Sequence, residues 1–331
     1  MKTGFMGMKV FDKKFVFSVI IILVSIIACV KNTSTPPLTP TTSTIGQIIA
    51  GASNLTIFDS AMSKSGLLAN LDSMNATGAP FTVFAPVNIA FTTAGFTDST
   101  IYKMSKDSLR AFLGNYIYSG GALTTATLPI GPDAPLSTIF GSTIFCTVSG
   151  GYIYINGNLV TQSDIIANNG VIQALSGIYY PPAGSIWNIL RNDTTLSFLY
   201  QAAVIANQNS SGFNLDSLLA DSLVTFFAPT NAAFRLTADS NINIINTIAP
   251  DSLARLLTTH ILRGRVFTSD FTTTDTLYSY SSDSLFVSTI IGSTIQSKGD
   301  STAASLGPVN IIATNGVIHK VSQVLFPYYP F

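Results

Sequence analysis

Residues 81–91 read FTVFAPVNIAF and residues 224–234 read VTFFAPTNAAF, one segment written twice at an offset of 143. Other matches keep nearly that interval and the same order. Ile45, Ile48 and Ile49 recur as Ile186, Ile189 and Leu190, an offset of 141. SKDSLRAFLGNYI from Ser105 recurs as APDSLARLLTTHI from Ala249, and SDIIANNGVIQ from Ser163 recurs as VNIIATNGVIH from Val309, offsets of 144 and 146. A self-similarity of domain length decides architecture before any single residue is weighed. The chain is a tandem duplication of one domain.

The 331 residues agree with two domains on the usual prior of roughly 100–200 residues each. Charged residues make up 10%, well under the roughly 25% of ordinary soluble domains, so Ser, Thr and Asn carry the surface. All 16 acidic residues are Asp. Chemistry that needs a glutamate base, acid or metal ligand is therefore excluded. With 2 His, few groups titrate near neutral pH.

The N-terminus carries Lys2, Lys9, Lys13 and Lys14, an apolar run from Phe15 to Ala28, and then Cys29. That run is shorter than the roughly 20 residues a membrane span needs and reads as a secretory signal over 1–28. Ile26-Ile27-Ala28-Cys29 resembles the bacterial lipoprotein processing box, which would make Cys29 the lipidated first residue and anchor the protein to the outer membrane, exposed at the cell surface. The alternative is an uncleaved N-terminal anchor. Without residues 1–28 the formal charge falls from 0 to −3, which leaves no basic footprint for nucleic acid. Cys146 then stands alone in an apolar run, where a buried, inert thiol is expected.

Residues 29–44, rich in Thr and Pro, read as an extended tether. A first domain follows over 45–182 and a second over 185–331, joined by Pro181-Pro182-Ala183-Gly184, a joint stiff enough to restrict their mutual orientation. Each repeat opens with helical spacing, at Ile45, Ile48, Ile49, Leu55, Phe58 and Met62, and again at Ile186, Ile189, Leu190, Leu196 and Leu199. The β signals come next: Phe81–Phe84 and Val224–Phe227 read as strands stopped by Ala-Pro. Asn88 and Asn231 are expected to cap the short helices that follow, as Asp107 and Asp251 are for the next ones. The last third is strand-like, with a hairpin at Asn156-Gly157. The class is α+β rather than a parallel α/β alternation.

Both repeats resemble the fasciclin domain, an extracellular module of cell adhesion. The resemblance rests first on the FAPxNxAF segments: Phe84, Ala85, Pro86, Asn88 and Phe91, then Phe227, Ala228, Pro229, Asn231 and Phe234. It rests next on the region of His260, and last on the NGVIH-like segments with Asn169 and Gly170, and with Asn315, Gly316 and His319. It implies two tandem fasciclin-like domains, each a small β-sheet wedge or sandwich with packed helices, and it implies that these signature residues are structural. The copies depart from the family pattern: its Tyr-His is Asn115-Tyr116 in one and Thr259-His260 in the other, and Gln173 replaces a histidine. Asp164-Ile165 matches a pair credited with integrin binding in some animal members, but the second copy has Asn310-Ile311. Integrin recognition is not carried over, and specificity is expected where the copies disagree.

Catalytic constellations fare poorly. His260 and His319 sit inside the signatures, and no GxSxG elbow accompanies them. Two His, one Cys beyond Cys29 and no Glu offer no close metal-ligand pair. The Asp residues fall in helix-start segments rather than as a glycosidase pair, and the Asn-Gly turns lack an acidic calcium loop. No catalytic residue, metal or cofactor is expected. The closing aromatics Tyr179, Tyr180, Phe326, Tyr328, Tyr329 and Phe331 either seal each core or form a face for stacking on sugars. The sequence thus points to a non-enzymatic, lipid-anchored surface protein that binds a surface protein or polysaccharide. The alternatives are an accessory binding subunit of an outer-membrane nutrient-uptake system and, third, an exported hydrolase.

Overall fold

The computed structural model describes residues 42–74, 80–209, 214–237, 242–271, 274–290 and 293–328. The expected signal segment, Cys29, all but the end of the tether, Tyr329 and Phe331 lie outside the described residues. Thr41–Phe331 forms one compact unit.

The first domain opens with helices Ile45–Gly51, Thr56–Ser65 and Leu67–Met74. Thr44 starts the first of them through a reciprocal capping box with Gln47, which satisfies two otherwise orphaned donors. Gly66, at φ 74°, turns the chain between the next two; a side chain there would be strained. Strand β1 (Phe81–Pro86) leads into helices Asn88–Thr93, Asp98–Lys103 and Lys106–Leu113. Six strands follow: β2 (Ile117–Tyr118), β3 (Gly131–Ser137), β4 (Thr143–Ser149), β5 (Tyr152–Ile155), β6 (Asn158–Ala167) and β7 (Gly170–Leu175). They form one sheet in the order β2-β1-β7-β6-β5-β4-β3. β5 and β6 meet at Asn156 (φ 49°) and Gly157 (φ 76°), the paired positive φ values that a two-residue hairpin turn demands.

The second domain repeats the plan. Helices Ile186–Asn192, Ser197–Ala206 and Leu215–Asp221 precede β8 (Val224–Pro229), and helices Asn231–Arg235, Ile242–Ile245 and Pro250–Thr259 follow it. Then come β9 (Ile261–Arg263), β10 (Thr274–Tyr278), β11 (Ser284–Ser288), β12 (Thr294–Ser297), β13 (Ala304–Ser305), β14 (Ile311–Ala313) and β15 (Gly316–Val321). Here the strands divide into two sheets, β14-β15-β8-β9 and β10-β11-β12-β13. The long β6 of the first domain corresponds to the broken pair β13 and β14, with Pro308, which has no N–H to give a ladder, in the gap.

At the centre of each domain lies a parallel pair that local sequence does not announce. β1 runs beside β7 from Phe81↔Gly170 to Pro86↔Leu175, and β8 beside β15 from Val224↔Gly316 to Pro229↔Val321. All six residues of β1 and of β8 are buried, as expected of strands covered on both faces. Each strand includes the Ala-Pro of its signature and ends there. The glycine of each NGV segment is needed for close approach: a Cβ on Gly170 would lie 2.0 Å from the Phe81 carbonyl oxygen, and one on Gly316 1.8 Å from that of Val224.

The expected caps are corrected. Val87 and Thr230, not Asn88 and Asn231, are the N-caps of the helices after β1 and β8. Asp107 and Asp251 lie in the first turns of helices capped by Ser105 and Ala249, where their charge still favours the helix dipole.

Candidate functional site

The signature residues bond within each domain, to main-chain groups distant in sequence. Asn88 reaches back to the N-terminus of helix Thr56–Ser65, whose own cap residue Leu55 offers no side-chain bond. Its Oδ1 accepts from Ile57 N at 3.1 Å, while Nδ2 donates to Ser53 O at 3.1 Å and Thr56 Oγ1 at 3.0 Å. Asn231 does the same for helix Ser197–Ala206: Oδ1 accepts from Phe198 N at 3.0 Å, and Nδ2 donates to Thr194 O and Ser197 Oγ, both at 2.9 Å. Each Asn is a cap supplied from another element.

Asn169 and Asn315 tie the end of each domain to its beginning. Asn169 Oδ1 accepts from Ile45 N at 2.7 Å, and Asn315 Oδ1 accepts from Ile186 N at 2.9 Å. Asn315 Nδ2 also donates to Leu219 O and Ser222 O at 2.9 and 3.0 Å. Phe84, Ala85, Phe91, Phe227 and Ala228 are fully buried, and Phe234 nearly so.

Both imidazoles are fully buried and fully engaged. His260 Nε2 accepts from Leu325 N at 2.9 Å, which leaves Nδ1 to donate to Leu256 O at 2.9 Å. His319 Nδ1 accepts from Asn310 N at 3.2 Å, and Nε2 donates to Val266 O at 2.9 Å. Burial outweighs the bonds to carbonyls and pulls both pKa values from 6.5 down to about 4, so the rings are neutral at pH 7. Neither ring nitrogen pairs with a carboxylate. Buried Asp283 instead accepts from Arg255, Thr259 and Ser281.

The positions where the copies differ are fully buried and accept from equivalent main-chain N–H groups in the two domains. Tyr116 stands where His260 does; its hydroxyl accepts from Tyr179 N at 2.9 Å and donates to Tyr179 O at 2.6 Å. Tyr179 corresponds to Leu325, so the same main-chain N–H is satisfied in both domains. Gln173 stands where His319 does. Its Oε1 accepts from Asp164 N at 3.0 Å and its Nε2 donates to Leu123 O at 2.8 Å, the counterparts of Asn310 N and Val266 O. Asp164, of the Asp-Ile pair, is itself held by Thr125 N at 2.8 Å and Thr125 Oγ1 at 2.5 Å.

Cys146 is buried, and burial raises its thiol to about 11, out of reach of nucleophilic chemistry at neutral pH. Among the described residues no group of three His, Cys or Asp side chains is placed to hold a metal ion, and no helix is long and apolar enough to cross a membrane. Of the closing aromatics, Tyr179 is buried whereas Tyr180, Phe326 and Tyr328 remain about half exposed. Tyr180, Pro181, Ala183, Ile189, Pro308 and Val309 line a cleft of about 420 Å³ where the domains meet. Its walls are mainly apolar.

The domain junction is the feature that sequence reading missed. Phe267, fully buried, joins the hydrophobic core of the first domain. Its ring centre lies 6.2 Å from that of Phe145, and the Arg265 guanidinium lies 3.7 Å from the Phe145 ring centre. Burial, together with the nearby Asp270 charge, raises the Asp133 carboxyl to about 6 against the pull of Arg265 and a bond from Thr147. The signal was available in the repeat itself: Arg265 and Phe267 align with Ala122 and Thr124, a basic and an aromatic residue where the other copy has small ones.

Comparison with known proteins agrees with this construction. The fasciclin domain model matches residues 53–181 and 198–327. Protein sll1483 of Synechocystis sp. is 31% identical over 141 residues, 42% of this chain and 74% of that protein. The transforming growth factor-beta-induced protein ig-h3 of Sus scrofa is 26% identical over 255 residues, covering 74% of this chain, and human periostin is 28% identical over 258 residues, covering 75% of it. The chain spans only 33% and 28% of those two proteins' own lengths. A solved fasciclin domain pair from the insect cell adhesion molecule Fasciclin I aligns over 82% of this chain and 96% of that one, at 17% identity and a TM-score of 0.38. Fasciclin domains are associated with cell adhesion and extracellular matrix proteins. Matched by the family model in both halves and built twice on the same signature bonds, the chain belongs to the fasciclin domain family.

Proposed function

We propose that this protein is a non-enzymatic, exported surface protein that binds a matrix or cell-surface polymer, protein or polysaccharide. In this reading it is held to the bacterial outer membrane by lipid on Cys29, with the Thr/Pro-rich tether carrying both domains away from the bilayer. One observation carries the proposal: all four nitrogens of its two imidazoles are already committed to main-chain groups inside the fold. Among the described residues both imidazoles and the Cys146 thiol are buried, and with few charges in the sequence much of what remains to meet a partner is hydroxyl and amide. Scattered exposed aromatics add to it, among them Tyr102, Tyr152 and Tyr278. Such a surface suits binding by stacking and hydrogen bonding.

Three measurements on the full-length protein test this. Mass spectrometry of the native N-terminus is expected to find lipid on Cys29, and protease added to intact cells is expected to cut the protein. Arrays of glycans and matrix proteins are expected to retain the detergent-solubilised chain. Retention of no ligand, combined with turnover of a substrate that His260→Ala or His319→Ala abolishes without unfolding, would overturn the proposal in favour of an exported hydrolase.

A further inference from the structure

The two domains use one surface in two ways. β4 of the first domain and β11 of the second align residue for residue, Thr143–Thr147 with Ser284–Ser288, which makes Phe145 and Phe286 the same position. Phe145 is covered by Arg265 and Phe267 from the loop after β9. Phe286 is 43% exposed, in a shallow depression of about 380 Å³ whose lining includes Thr276, Ser288, Thr294 and Gln296. Strand register sets Thr276 and Gln296 on either side of Phe286. The outer face that docks a neighbour in one domain is therefore open in the next.

The occupant is defined by what covers Phe145. A guanidinium over an aromatic face gains from the ring quadrupole, and a second ring beside it adds apolar contact. The hydroxyl and amide oxygens around Phe286 can accept from that guanidinium. A second copy of this chain does not supply the anchors, because its first domain presents Ala122 and Thr124 where the second presents Arg265 and Phe267. We infer that the outer face of β10–β12 around Phe286 is a docking surface for a partner polypeptide loop carrying an arginine and, two residues on, an aromatic side chain. This inference rests on the proposed binding function and deepens it by naming a protein partner.

The test gives the first domain what it lacks. Full-length chain carrying Ala122→Arg and Thr124→Phe, whose wild-type side chains are half-buried, is expected to assemble head to tail. In sedimentation velocity its mass should rise with concentration beyond that of wild type, and adding Phe286→Ala should abolish the rise. Assembly that survives Phe286→Ala, or a folded double variant that behaves as wild type, would overturn the inference. A second measurement does not depend on the folding of that variant. A synthetic peptide of residues 264–271, GRVFTSDF, titrated into the wild-type chain is expected to shift the NMR signals of Thr276, Phe286 and Gln296. The same peptide with Arg265→Ala should bind at least about tenfold more weakly. Silence at those residues, or a response there only to a neutral oligosaccharide, would replace the docking surface with no site or with a sugar site.

Discussion

His319 and Gln173 show how a buried position can be chemically loose and geometrically strict. Each must accept from one main-chain N–H and donate to one main-chain carbonyl. A neutral imidazole and a carboxamide both meet that demand. His319→Gln is therefore expected to leave stability at pH 7.5 nearly unchanged, whereas His319→Ala should cost about 1–3 kcal/mol for the buried partners it strands. The acid response separates the two side chains further. Because burial lowers the folded pKa of each His from 6.5 to about 4, the unfolded chain takes up protons first. Stability from this source is complete above about pH 6.5 and is lost as pH falls through about 4, by up to about 3 kcal/mol per His. Asp133 works in the opposite sense: with its folded value raised to about 6, its penalty is relieved on acidification. That contribution is common to wild type and variant and cancels in their difference. Urea midpoints at pH 7.5 and 4.5 should show His319→Gln losing less stability on acidification than wild type by about 2–3 kcal/mol; equal losses would show that neutral burial is not the cause.

Among elements, the Asn of the FAPxNxAF segment belongs energetically to a helix it is not part of. Sequence reading found the right chemistry, a capping asparagine, and assigned it to the adjacent helix. The helix it serves begins about thirty residues earlier, a separation that only the packed domain closes. Asn88→Ala or Asn231→Ala should therefore cost about 2 kcal/mol and loosen the distant helix as well, which hydrogen exchange at the amides of Ile57 or Phe198 would report. Gly316→Ala is a harsher change, since its Cβ would meet the Val224 carbonyl oxygen. A loss of about 3 kcal/mol or more is expected in denaturant titration, with β8 and β15 pushed apart. In contrast, the Asn156-Gly157 hairpin was legible in full, because a two-residue turn is specified by its own backbone preferences.

For the whole molecule, the decisive contact is Phe267 in the core of the neighbouring domain. Phe267→Ala should remove about 3–5 kcal/mol of buried contact and uncouple the domains. Calorimetry would then show two unfolding transitions in place of one, and NMR relaxation would show the halves tumbling more independently. Phe286→Ala, at the equivalent open face, should change stability by less than about 1 kcal/mol, because its ring is partly in water already. If both substitutions had the same effect, the junction would not be the source of coupling. A stiff Pro-Pro linker alone restricts orientation, but side-chain packing across the boundary selects one.

The duplication, the α+β class, the fasciclin signatures, the hairpin and the scarcity of His and Cys and lack of Glu were all readable along the chain. They depend on composition, on local turn chemistry, or on a pattern compared with itself. Tertiary structure alone decided the rest: the parallel pairing of β1 with β7 and β8 with β15, the cross-element caps, and the equivalence of Tyr116 with His260 and of Gln173 with His319. It also decided which copy of one sheet face is covered. The reason is physical: each of these rests on a hydrogen bond or a ring contact between residues far apart in sequence. Linear order carries the chemistry of both partners but not their distance, and at Phe145 and Phe286 the same side chain is a partly buried joint in one domain and an open surface in the other.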